Sequence, residues 1–180
     1  MDEKIERVTL FGMDVDGVLT DGSIIYGDSG LELKQFNAHD GMGITLLIRA
    51  GITPFIITGR RSEATMRRAV DLGISEVHQG ISDKMSCLKA ILSKYGKRLE
   101  EVAYIGDDLS DIEVMRSVGI PIAVADAASE VKECARFVTS RPGGYGAVRE
   151  ACEFVIRLNG YQGKLWDLFI AGVKRCTCDE

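Results

Sequence analysis

The chain has 180 residues, 46% of them apolar and 27% charged, which fits one globular domain with a single core and excludes a disordered or fibrous chain. Lys plus Arg number 22 against 27 Asp plus Glu, a formal charge of −5, so the basic footprint of a nucleic-acid binder is missing. No apolar run reaches the ~18 residues of a membrane helix, the opening Met-Asp-Glu-Lys-Ile-Glu-Arg lacks a signal-peptide core, and five cysteines suit no disulfide framework, so a cytoplasmic location is expected.

Residues 8–13 form an apolar run ending in carboxylates, the pattern of a buried strand. Residues 23–26 and 31–36 flank Gly27-Asp28-Ser29-Gly30, a hairpin signal. A helix over 41–50 stopped by Gly51 is followed by a strand over 52–57 and a helix over 62–72 with Gly73 as its cap. Leu88, Ile91, Leu92 and Tyr95 make the apolar stripe of a helix over 84–95, which Gly96 ends. A strand over 102–105, a helix over 109–118, a strand over 120–124, a helix over 129–135 with Ser129 as N-cap, and a short strand at 137–138 follow. Val148, Ala151, Cys152 and Val155 mark a last core helix, closed by Gly160. The tail 161–180, with Trp166 and Phe169 on an apolar stripe, is too short for a domain and is expected to pack back or meet a partner. Cys87, Cys134 and Cys152 are expected to pack as small hydrophobes, and Cys176 and Cys178 lack partner ligands for a metal. His39 and His78 stand alone and read as polar packing.

Alternating strands and helices predict an α/β fold, a doubly wound parallel sheet with a hairpin inserted after the first strand. Residues 1–160 form the domain and 23–37 its hairpin. In such folds ligands bind beyond the carboxyl ends of the strands. The polar residues gather there: Asp14 and Asp16 after the first strand, Thr58-Gly59-Arg60 after the second, Gly106-Asp107-Asp108 after the third, with Asp111 one turn on and Lys84 opening the preceding helix. Several carboxylates in one crevice repel unless a cation joins them, and oxygen donors without His or Cys suit Mg²⁺. Thr58 and Lys84 add a hydroxyl and an ammonium for an anion. Metal, anion cradle and spare carboxylate together describe phosphoryl transfer. Gly143-Gly144-Tyr145-Gly146 opens a helix and is a candidate anion or substrate contact.

Asp14-Val15-Asp16-Gly17-Val18-Leu19-Thr20-Asp21-Gly22, Ile57-Thr58-Gly59-Arg60, Lys84 and Gly106-Asp107-Asp108-Leu109-Ser110-Asp111 resemble the four motifs of the haloacid dehalogenase superfamily. Phe36-Asn37-Ala38-His39-Asp40-Gly41, Gln79-Gly80, residues 102–106 and Gly143-Gly144-Tyr145-Gly146-Ala147-Val148-Arg149-Glu150 resemble its capless branch, the 3-deoxy-D-manno-octulosonate 8-phosphate (KDO 8-phosphate) phosphatases. The resemblance implies Asp14 as nucleophile forming an aspartyl-phosphate and Asp16 as acid and then base. It implies Thr58 and Lys84 on the phosphoryl oxygens. Mg²⁺ would be held by Asp14, the Asp16 carbonyl and Asp107, with Asp108 and Asp111 as supporting acids. It also implies a homotetramer whose hairpins build a central barrel and whose subunits close each other's sites.

The 41 residues of 17–57 and the 25 between Thr58 and Lys84 leave no room for a folded cap of ~50 residues or more. A sugar-acid substrate carries a carboxylate, for which Arg60, Arg61, Arg67 and Arg68 are available, Arg60 first because it follows the second motif directly. A phosphatase for a nine-carbon sugar acid or for broader sugar phosphates, a phospho-accepting receiver, and a non-catalytic regulatory module are the competing readings. An acidic residue in place of Arg60 would favour the nine-carbon acid, and Asp16, two residues beyond Asp14, argues for turnover.

Overall fold

The computed structural model describes residues 7–176, with side chains described as far as residue 171. Cys178 and the side chain of Cys176 therefore lie outside the described residues. Strands β1 (Leu10–Met13), β4 (Thr53–Thr58), β5 (Glu76–Gln79), β6 (Val102–Gly106), β7 (Ile120–Ala123) and β8 (Phe137–Val138) form one sheet in the order β5-β4-β1-β6-β7-β8. Every pairing in it is parallel. A separate antiparallel pair, β2 (Ile25–Tyr26) and β3 (Glu32–Leu33), is the expected hairpin. Helices α1 (Ala38–Arg49), α2 (Glu63–Asp71), α3 (Lys84–Tyr95), α4 (Ile112–Met115), α5 (Ser129–Cys134), α6 (Ala147–Leu158) and α7 (Leu165–Cys176) complete the described chain.

Parallel strands covered on both faces are apolar throughout, and every residue of β1 is buried. Gly12 makes this possible at the centre. A Cβ there would fall 2.4 Å from the Phe55 ring and 2.5 Å from that of Tyr104, so the missing side chain leaves room for an aromatic ring on either neighbouring strand. Leu10, Phe11, Met13, Phe55, Ile56, Ile57, Leu88, Ile91, Tyr104 and Ile105 fill the core. Cys152 is buried with them, while Cys87 and Cys134 are half-buried.

Four local expectations are corrected. Strand β5 was not foreseen, because Glu-Val-His-Gln carries a single apolar residue. It is an edge strand, and its buried Glu76 is held by His78 (2.7 Å), the Tyr95 hydroxyl (3.1 Å) and Lys94. Helix α1 starts three residues early, at Ala38, because the Asn37 side chain accepts the His39 N–H at 2.8 Å and caps it. The helix expected over 109–118 is a 3₁₀ turn at Leu109–Asp111 followed by only four α-helical residues. Ser129 is the first residue of α5 rather than its cap; Ala128 holds the extended cap conformation and the Ser129 hydroxyl turns to Glu130. The tail forms α7, which lies on α1. Trp166 and Phe169 stack at 5.7 Å, and the Arg49 guanidinium sits 4.5 Å over the Phe169 ring.

Candidate active site

Register places the site. Met13 of β1 pairs with Ile56 of β4 and Ile105 of β6, so Asp14, Thr58 and Asp107 leave adjacent strands at one rim of the sheet. Beyond Asp14 the chain turns sharply: the N–H groups of Val18, Leu19 and Thr20 all donate to the Val15 carbonyl at 2.9–3.2 Å. Gly17 sits in this turn at φ +88°, and a Cβ on it would lie 2.0 Å from Asp107 Oδ2. The fourth motif can thus close against the first only across a glycine.

Asp14, Asp107 and Asp111 each bring a carboxylate oxygen within 4.8 Å of the others. Lys84, the first residue of α3, reaches in with a side chain only 3% exposed and donates to Asp14 Oδ2 and Asp111 Oδ1, both at 2.7 Å. Asp111 Oδ1 also accepts the Tyr104 hydroxyl at 2.8 Å, and its Oδ2 accepts the Asp107 N–H at 3.2 Å. Both Asp111 oxygens are therefore committed to protein donors, which makes it an orienting acid. Asp107 Oδ1 is buried and has no hydrogen-bond partner, and a buried orphan acceptor facing two other carboxylates is what a hard cation would satisfy. The donor set, oxygen only, fits Mg²⁺.

The electrostatics agree. Burial first, then Asp14 and Asp111, push the Asp107 carboxyl up to about 8. Burial also raises Asp14, with Lys84 opposing it and Asp111 adding to it. Burial would lower Lys84, but Asp14 and Asp111 outweigh it and hold the ammonium charged above its usual range. A metal must displace the Asp107 proton in the metal-free protein. Apparent Mg²⁺ affinity is accordingly expected to rise with pH by up to about tenfold per unit below pH 8 and to level off above it. Calorimetry in buffers of different ionisation enthalpy would register the released proton; an affinity flat between pH 6 and 8 would contradict the shift.

The other expected residues divide. Thr58 is buried at the end of β4, inside the rim. Asp108 is exposed and spends its carboxylate on the Leu109 N–H at 2.7 Å, outside the three-carboxylate group. Arg60 reaches the crevice, with Nη2 3.1 Å from Glu32 and Nε 3.6 Å from Asp16. Arg61 and Arg67 line a neighbouring cavity between the hairpin and α2. Arg68 is held elsewhere, donating to the Asn37 carbonyl at 3.2 Å. His39 is exposed, and His78 belongs to the Glu76 cluster.

The glycine loop 143–146 meets the start of α6, part of which is occupied by the protein itself. Two of the donors at the start of α6, the N–H groups of Gly146 and Arg149, are taken by the buried Asp40 carboxylate at 3.3 and 2.8 Å. The glycines serve close packing: a Cβ on Gly143 would sit 1.8 Å from the Gly17 carbonyl oxygen, and one on Gly144 would sit 2.5 Å from the Asp21 nitrogen. The loop buttresses the Asp14 turn from behind.

Sequence reasoning missed two residues of the crevice, Glu32 and Lys34. They alternate along the second arm of the hairpin, so both face the site while Leu31 and Leu33 face out. Lys34 pairs with Asp16 and lies 3.4 Å from Glu32. The charged face of an otherwise apolar hairpin was the available signal.

A family profile for haloacid dehalogenase-like hydrolases matches residues 69–149. The chain is 46% identical over 158 residues to the 3-deoxy-D-manno-octulosonate 8-phosphate phosphatase KdsC of Yersinia pestis, covering 86% of this chain and 84% of that protein. It superposes with TM-score 0.87 and 42% identity, over 94% of this chain and 95% of the other, on the Moraxella catarrhalis 3-deoxy-D-manno-octulosonate 8-phosphate phosphatase in complex with magnesium, phosphate and KDO. The cobalt-bound Haemophilus influenzae enzyme gives TM-score 0.83 at 37% identity, over 88% and 92% of the two chains. Sequence and fold are thus similar across most of the length of both chains, and the chain belongs to the KDO 8-phosphate phosphatase family of haloacid dehalogenase-like hydrolases.

Proposed function

We propose that this chain hydrolyses KDO 8-phosphate to KDO and phosphate through an aspartyl-phosphate, with Mg²⁺, as a step in making lipopolysaccharide precursors. The observation that carries the reading is the Asp14–Lys84–Asp111 chain beside the unpartnered Asp107 oxygen, in a protein so similar to a relative crystallised with magnesium, phosphate and KDO. Asp14 attacks phosphorus while Asp16 protonates the leaving sugar oxygen; Asp16 then takes a proton from the water that hydrolyses the aspartyl-phosphate. Lys84 and Thr58 hold the phosphoryl oxygens, and Arg60, whose side chain is 37% exposed, reaches the substrate carboxylate. Asp14, the Asp16 carbonyl and Asp107 hold Mg²⁺, which when bound offsets the repulsion between a carboxylate nucleophile and a phosphate dianion.

Residues 1–160 act as the phosphatase domain, carrying 161–180 as an appendage. The working form is a homotetramer. Ile24, Ile25, Tyr26, Leu31 and Leu33 are 44–72% exposed on one hairpin, an apolar surface suited to meeting its copies. Among the described residues no helix is long and apolar enough to cross a membrane, in keeping with action in the cytoplasm.

Phosphate release from KDO 8-phosphate, beside a panel of sugar phosphates and with Mg²⁺ or chelator, tests the assignment. A Mg²⁺-dependent preference of at least about tenfold in kcat/KM for KDO 8-phosphate is expected; equal rates across the panel would discard the substrate. Sedimentation of the same preparation tests the tetramer, which a fully active monomer would exclude.

A further inference from the structure

Lys34 is a buried cation outside the four motifs. Its side chain is 2% exposed, although it stands on a hairpin whose other face is open to solvent. An ammonium is buried to that degree only when charged partners surround it. Here the partners are Asp16, paired directly, and Glu32 at 3.4 Å. Arg60 closes the square, 3.6 Å from the other Asp16 oxygen and 3.1 Å from Glu32. Two carboxylates and two cations balance. Burial alone would raise the Glu32 carboxyl, but Arg60 and Lys34 outweigh it and hold it below its ordinary value.

The two cations differ in reach. Arg60 is 37% exposed and can leave the square for an incoming group, whereas Lys34 is enclosed and already paired with Asp16. Asp16 follows a strand end, and Lys34 is the enclosed cation fixed against its carboxyl. We propose that Lys34 is a positioning residue for the reaction: it sets where the Asp16 carboxyl points, and so couples the hairpin to proton transfer at the leaving oxygen. This rests on the reading of Asp16 as acid and base. The step itself is unchanged: the phosphorus–sugar oxygen bond breaks as the Asp14–phosphorus bond forms, and the sugar oxygen takes the proton that Asp16, a carboxylate in the resting square, has drawn from solvent in the substrate complex.

Leaving-group dependence tests this. A sugar alkoxide needs that proton, while 4-nitrophenolate leaves without it. Full-length Lys34→Met is expected to lose about 10²-fold in single-turnover phosphoryl transfer from KDO 8-phosphate. Its first-turnover burst with 4-nitrophenyl phosphate should stay within about threefold of the parent, and the burst amplitude counts folded sites. Lys34→Arg should restore part of the loss. In an Asp16→Asn background the Lys34→Met loss should shrink to within about threefold, since neighbours acting through one group do not add. If Asp16→Asn alone shows no leaving-group split, the acid–base reading of Asp16 is wrong. If it does, and Lys34→Met slows both substrates alike or raises only KM, Lys34 is a structural or substrate contact and the proposal is overturned.

Discussion

Asp14→Asn is expected to lower phosphate release by at least about 10⁴-fold, the scale on which removal of a covalent nucleophile is felt. The side chain is almost enclosed, at 7% relative exposure, and its two oxygens are already oriented: Oδ1 accepts the Val15 N–H and Oδ2 the Lys84 ammonium, both at 2.7 Å. The amide keeps the shape but is a poor nucleophile and adds no negative charge for a metal to meet. Labelling with a radioactive phosphodonor should vanish along with turnover, and a thermal melt in the same buffer separates lost chemistry from lost fold. Activity within tenfold of the parent would remove Asp14 from the nucleophile position.

The second large effect is expected at Lys84. Lys84→Met keeps the length of the side chain and removes its charge, leaving Asp14, Asp107 and Asp111 together without the ammonium that two of them grip. Breaking a buried pair by deleting one partner costs about 3–5 kcal/mol, so the metal-free variant should melt well below the parent. Because these groups are buried, added monovalent salt should recover little of the loss, while Mg²⁺ should recover more. Turnover should fall about 10²- to 10³-fold, as when one preorganised donor to a developing anion is removed. The pH profile carries a sign as well. Lys84 is the main group that opposes burial in setting the Asp14 carboxyl, ahead of the Val15 N–H. Without it that carboxyl rises further, and the acidic limb of activity should move to higher pH. Unchanged melting and an unmoved acidic limb would place Lys84 outside the cluster's charge balance.

The apolar strands and the glycine-stopped helices were legible because their periodicity is local. Residues 8–13, 52–57 and 102–105 read as buried strands from composition alone, and the rule that ligands sit beyond strand ends then drew Asp14, Thr58 and Asp107 to one rim. Strand β5 was illegible because an edge strand needs only one covered face, and its buried glutamate looks like surface until Lys94, Tyr95 and His78 are seen around it. The loop 143–146 was ambiguous for a related reason. Gly-rich sequence before a helix suits an anion or a tight approach equally well, and only the fold places Asp40 on its free N–H groups. Lys34 and Glu32 were missed because a charged residue in a hairpin is ordinarily solvated. Their burial depends on Asp16 and Arg60, each many residues away in the chain.

The position of β1 has a consequence for how the protein comes into being. The first strand of the chain is the middle of the sheet, paired on one side with β4 and on the other with β6. During synthesis one of its edges must wait for β4 and the other stays open until residue 106 has been made, and the turn after it lacks its buttress until Gly143 and Gly144 arrive. Such non-local closure is slow and leaves apolar edges uncovered while it waits. Catalytic competence is therefore among the last properties a growing chain acquires. A ribosome stalled before the glycine loop would hold a chain that carries the nucleophile motif yet has no formed site to use it.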